Sequence, residues 1–82
     1  MNTVKTLFFA TLRDRVGVRA VQLHIPAQTN VAVFKILLIE QFPVLRELMG
    51  HILISVNQEY VSDDAIIPDA AEIALFPPVS GR

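Results

Sequence analysis

The 82-residue chain has no cysteine and no tryptophan, only three glycines, and almost no net charge. Without cysteine, disulfides, thiol nucleophiles and Cys-ligated zinc are excluded together, and the composition fits a reducing, cytoplasmic compartment. Seven Lys and Arg against eight Asp and Glu give a formal net charge of −1. No broad basic field is therefore available for a nucleic-acid backbone or an anionic membrane surface. No apolar run nears the roughly 20 residues of a membrane-spanning helix. The opening Met1-Asn2-Thr3-Val4-Lys5 lacks the basic and apolar regions of a signal peptide.

What the chain has in excess is hydrophobic residues, 52% of the total. A domain this small buries only about 60% of the surface its unfolded chain exposes. Part of that apolar material must stay outside, and a contiguous exposed patch marks a surface that meets a partner. There are no repeats, linkers or low-complexity stretches, so the chain reads as one unit.

Residues 4–10 alternate as a strand, with Val4, Thr6, Phe8 and Ala10 on one face and Lys5, Leu7 and Phe9 on the other. Residues 11–17 form a polar turn or short helix closed by Gly17. Residues 19–25 alternate again, and Pro26 ends that strand. Asn30 is placed to cap a helix over 31–42, with Val31, Phe34, Leu37, Leu38 and Phe42 on its core face and Pro43 at its end. A further helical turn is expected over 45–49. Strands follow over 52–56, briefly at Tyr60-Val61, and over 72–76. The order β-β-α-β-β-β, with the first and last strands the most apolar and hence central, gives an α+β fold. A mixed sheet of about five strands packs against one main helix, as in a ubiquitin-like β-grasp. The domain is expected to span residues 1–76, with 77–82 as an extended tail stiffened by Pro77 and Pro78.

Most candidate chemistries fail on the sequence. His24 and His51 have no Cys and no i, i+4 His partner, so no metal site is expected. Asp63, Asp64, Asp69 and Glu72 lack an EF-hand pattern and read as solvated loop acids. No Gly-rich phosphate loop is present, so the chain is expected to hold no cofactor of its own. On the helix back, Ala32, Ile36 and Ile39 occupy positions that a solvated helix makes polar. Scattered surface hydrophobes explain that as well as a homo-contact through Ile36 and Ile39 does.

Three segments carry a resemblance. Lys5-Thr6-Leu7-Phe8-Phe9-Ala10-Thr11-Leu12-Arg13 with Gly17, then Val56-Asn57-Gln58-Glu59-Tyr60-Val61, and above all Glu72-Ile73-Ala74-Leu75-Phe76-Pro77-Pro78-Val79-Ser80-Gly81 resemble the small, sulfur-carrier subunit of molybdopterin synthase. The resemblance covers the whole chain. It implies a protein that catalyses nothing alone. Its C-terminal carboxylate is adenylated by a ubiquitin-activating-type adenylyltransferase, which uses the ATP, and is converted to a thiocarboxylate. The large subunit then takes the tail into its pocket, and sulfur passes to a cyclic pyranopterin phosphate. Two small subunits on a large-subunit dimer make the heterotetramer of that family. On this chain the resemblance assigns the thiocarboxylate end to Gly81, threading to Pro77, Pro78, Val79 and Ser80, and docking to Phe9, Arg13 and Phe76.

Two departures stand out. The family's Asp-Gly-Asp-Glu before the last strand reads Asp69-Ala70-Ala71-Glu72, which puts Ala where Gly would permit a positive φ. The family ends Gly-Gly, whereas this sequence reads Gly81-Arg82. Arg82 brings a permanent charge to the atom that must be activated. Its origin stays open between natural divergence, an altered Gly-Gly end and the stub of a precursor. Two alternatives follow: a docking or regulatory module that binds the large subunit without being charged, and a sulfur carrier for thiamine synthesis or tRNA thiolation.

Overall fold

The computed structural model describes residues 1–77. Its elements are β1 (Asn2–Phe8), α1 (Thr11–Val16), β2 (Ala20–Ile25), α2 (Val31–Gln41), β3 (Leu53–Val56), β4 (Glu59–Tyr60) and β5 (Glu72–Phe76), with 3₁₀ turns at Pro43–Leu45 and Met49–His51. The strands form one sheet in the order β2-β1-β5-β3-β4. β1 and β5 are parallel and interior, and every other pairing is antiparallel. This is the expected α+β β-grasp, with the first and last strands inside the sheet.

Alternation decides which face the helix covers. In β1, Val4, Thr6 and Phe8 are buried; in β5, Ile73 and Leu75 are. These residues meet Val31, Phe34 and Leu38 of α2 in the core, with Leu37 and Phe42 half-buried at its margin. Phe8 packs edge-on against Phe42, ring centroids 5.5 Å apart.

The helix start is closed by short-range chemistry. Asn30 Oδ1 accepts from the Val33 N–H at 2.9 Å. The N–H groups of Val31 and Ala32 donate to the carbonyls of Ala65 and Asp63. The donors that a helix N-terminus otherwise leaves free are thereby paired.

Element ends differ from the sequence reading. β1 stops at Phe8, and Ala10, at φ 53°, turns the chain into α1, so Ala10 is exposed and not on the buried face. β2 begins at Ala20, β3 begins at Leu53, and α2 ends at Gln41. The turn expected over 45–49 is replaced by the two 3₁₀ turns on either side of it. β4 is Glu59–Tyr60, because Asn57 and Gln58, at φ 52° and 72°, make a two-residue hairpin turn. On α2, Ile39 packs against the core while Ile36 is exposed. The two do not form a shared outer patch, and the homo-contact through the helix back loses its basis.

The Asp69-Ala70-Ala71 turn pins β1. Asp69 Oδ1 accepts from the Thr3 N–H, the Ala70 N–H donates to Thr3 O, and the Lys5 N–H donates to Ala71 O. Ala70 does this at φ 62°, where a Cβ is strained. Replacing Ala70 by Gly is expected to raise unfolding stability by about 1 kcal/mol, measurable by denaturant unfolding. A second change tests the core. Thr6 is fully buried between Val21 and Ile73, and its Oγ1 has no hydrogen-bond partner. Thr6→Val should stabilise by about 1 kcal/mol or more; a loss of stability would mean that the hydroxyl has a partner.

Candidate functional site

The sheet face away from α2 carries the residues of interest. Leu7 and Ala74 are register partners on β1 and β5, Ser55 lies opposite Ala74 on β3, and Tyr60 lies opposite Ser55 on β4. Phe76, opposite Leu53, follows Ala74 on the same face.

Phe9 has just left β1. Its N–H still bonds Leu75 O at 3.3 Å, which holds it against the end of β5. Its ring stacks on Phe76, centroids 4.9 Å apart and planes within 9° of parallel. Tyr60 approaches Phe76 from the other side at 6.2 Å. Together with Leu7, Ala74, Ser55, Gln58 and Glu72, the three rings line an open groove.

Phe8 is 2% exposed and Phe9 40%. The adjacent phenylalanines split between core and surface, as alternation requires. Phe76 is half-buried and Tyr60 is 70% exposed. An aromatic cluster of this kind, left open on a monomer, is the composition that protein interfaces favour.

Arg13 sits on α1 at the same end. It lines a second groove with Leu7, Phe9, Ala10 and Arg19. Its only ion-pair contact among the described residues is Asp14, with Nε at 4.0 Å from Oδ1 and both side chains at least half exposed, a weak interaction. The guanidinium is thus free to meet an acidic partner group. Phe9, Phe76 and Arg13 are therefore brought to one end of the sheet, with Pro77 next along the chain. Pro78, Val79, Ser80 and Gly81 lie outside the described residues.

Sequence reasoning missed Tyr60 as a member of this cluster. The available signal was its place after a two-residue hairpin turn, which fixes its face relative to Ser55. Three of the four acids of the 62–72 region have partners: Asp63 pairs with Lys35 at 2.8 Å, Asp64 accepts from Ser62, and Asp69 accepts from the Thr3 N–H. His24 Nδ1 lies 3.0 Å from Thr3 Oγ1.

The model of the ThiS family matches residues 6–81. The molybdopterin synthase sulfur carrier subunit of Arabidopsis thaliana is 33% identical over 78 residues, covering 95% of this chain and 81% of that protein. The chain belongs to this sulfur-carrier family. Among solved structures, the small archaeal modifier protein 1 of Haloferax volcanii superposes with a TM-score of 0.87 at 25% identity, covering 96% of this chain and 100% of that one. Subunit 1 in a complex of subunits 1 and 2 of the molybdopterin-converting factor of Helicobacter pylori shares the fold. Its TM-score is 0.70 at 18% identity, covering 98% of this chain and 99% of that one.

The stacked pair gives a direct test within the sulfur carrier itself. Phe9→Ala, Phe76→Ala and the double variant should show a coupling of about 0.5–1.5 kcal/mol in unfolding free energy. Additive losses would mean that the two rings do not support each other.

Proposed function

We propose that this chain is the sulfur-donating subunit of molybdopterin synthase and works in the cytoplasm. It docks on the large subunit and on an adenylyltransferase through the Phe9–Phe76 cluster. Sulfur travels as a thiocarboxylate at Gly81, and the acceptor is a cyclic pyranopterin phosphate. The observation that carries this reading is the exposed stack of Phe9 on Phe76 at the end of β5, one residue before the segment Pro77-Pro78-Val79-Ser80-Gly81. A surface at the root of that segment holds the domain while the tail enters a partner's pocket.

The proposed chemistry needs little from this chain. Adenylation by the partner, with its ATP, turns the carboxylate into an acyl adenylate and releases pyrophosphate. Sulfide displaces AMP to leave the thiocarboxylate directly, whereas a persulfide displaces AMP to give an acyl disulfide. From that acyl disulfide a second thiol of the sulfur donor releases the thiocarboxylate as it forms a disulfide with the donor. Gly81 lets the backbone approach the reacting groups closely because it has no Cβ. Pro77 and Pro78 favour an extended approach, and Val79 and Ser80 thread behind the terminus. Arg13 would meet an acidic group of the partner beside the rings. Arg82 works against activation, since a narrow glycine channel would have to desolvate its guanidinium. The charged form is therefore one in which Gly81 is terminal.

Two measurements test this. The chain ending at Gly81, incubated with the adenylyltransferase, ATP and a sulfur donor, should gain the mass of sulfur replacing oxygen. The chain ending at Arg82 should not. If neither gains mass while both bind the large subunit, the protein is a docking module. Separately, Phe9→Ala and Phe76→Ala should each weaken large-subunit binding by about 2 kcal/mol, or roughly 30-fold. Unchanged affinity would remove the aromatic cluster from the interface.

A further inference from the structure

The sheet has two edges, and they are built differently. β4 is two residues long and carries Glu59, so it offers little to an incoming strand. β2 is six residues, Ala20-Val21-Gln22-Leu23-His24-Ile25, regular against β1 and without Lys, Arg, Asp, Glu, Pro or Gly. Natural edge strands are normally blunted by charge, proline, bulges or shortness. β2 has none of these within its length.

The hydrogen-bond phase shows which groups are free. The Phe8 N–H donates to Arg19 O at 2.9 Å, and the register pairs Thr6 with Val21, Val4 with Leu23 and Asn2 with Ile25. Bonded and non-bonded pairs alternate along an antiparallel ladder. The backbone N–H and C=O groups of Ala20, Gln22 and His24 therefore point outward from the sheet.

We infer that β2 is a self-association edge, pairing antiparallel with β2 of a second copy about a two-fold axis at Gln22. That register uses all three outward residues: Gln22 meets its own copy, and Ala20 meets His24 in both directions. An axis at Val21 or Leu23 would pair only two of the three outward residues within the strand, leaving His24 opposite Val18 or Ala20 opposite Pro26, which has no N–H. On the helix side, half-buried Val21 falls opposite half-buried Leu23 of the other copy, so pairing completes the burial of both.

Charge also permits this register. The flanking Arg19 lies opposite Ile25 of the second copy, and the two copies of Arg19 end about 20 Å apart along the ladder. The contact is much smaller than the roughly 20–30 residues a side of a standard interface, so the dimer is weak and reversible. β1 separates this edge from β5, so the Phe9–Phe76 cluster stays open to its own partner in the dimer.

The test uses the full chain. Sedimentation velocity should show growing dimer as concentration rises about a hundredfold from the micromolar range. Amide shifts should concentrate at Ala20, Gln22 and His24. Gln22→Lys and Gln22→Glu should each stay monomeric, because the two-fold axis sets like charges face to face. An equimolar mixture of the two variants should associate more strongly than either alone. A monomer at near-millimolar concentration would overturn the inference. So would single variants that associate like the parent chain, or concentration-dependent shifts confined to Phe9 and Phe76.

Discussion

The parallel pairing of β1 with β5 is the constraint on which the rest depends. It sets Lys5, Thr6, Leu7 and Phe8 beside Glu72, Ile73, Ala74 and Leu75, joining the two ends of the described chain at the centre of the sheet. Parallel strands cannot be connected by a tight turn. Everything between them, including α2, is the crossover that makes the pairing possible. The pairing also creates the candidate site, because continuing both strands by one residue brings Phe9 against Phe76. The domain core and the aromatic cluster are thus two consequences of one register. A slip of one residue would exchange buried Phe8 for exposed Phe9 and undo both.

The two sheet faces answer the excess of hydrophobic residues differently. The helix-covered face absorbs Val4, Phe8, Ile73, Leu75 and their partners on α2. The open face is divided along the strands. Near the start of β1 it is polar, with Lys5 beside Glu72 and His24 beside Thr3. Toward the end of β5 it turns largely apolar, with Leu7, Phe9, Ala74, Phe76 and Tyr60, although Ser55, Gln58 and Glu72 line the same groove. Had the apolar residues been spread evenly, they would be ordinary surface hydrophobes. Exposed Val18, Val33, Ile36, Val44 and Ile66 lie elsewhere, whereas Phe9, Phe76 and Tyr60 meet as one contiguous patch at the exit of the last strand, at the same end as Arg13.

The succession of elements along the chain, the central place of the first and last strands, the Asn30 cap and the opposed faces of Phe8 and Phe9 were all legible in the sequence. Each rests on a local rule: period-two alternation, a side-chain cap, or strand hydrophobicity. What was not legible depends on distant groups. Ala10 leaves the strand because α1 begins at Thr11, and Ile39 is covered because the core extends past the ideal helical stripe. The Phe9–Phe76 stack and the approach of Tyr60 arise from residues separated by most of the chain. The docking role of Phe9, Arg13 and Phe76 came from resemblance to a family, and the structure supplies a physical reason for grouping them.

The scarcity of glycine gives a last connection between backbone and function. Among the described residues, five non-glycine positions, Ala10, Gln28, Asn57, Gln58 and Ala70, adopt positive φ, each at some cost in strain. The hydrogen bonds around them show what offsets it. Asn57 Oδ1 accepts from the Glu72 N–H while its own N–H donates to Glu72 O, locking the start of β5. Ala70 anchors Thr3, locking the start of β1. Ala10 turns the chain directly behind Phe9. Apart from Gln28, which lies between β2 and α2, these strained turns border the central strand pair and the ring cluster, where a fixed backbone direction matters more than a small gain in stability. A side chain at these turns is tolerated because the surrounding bonds overdetermine the backbone.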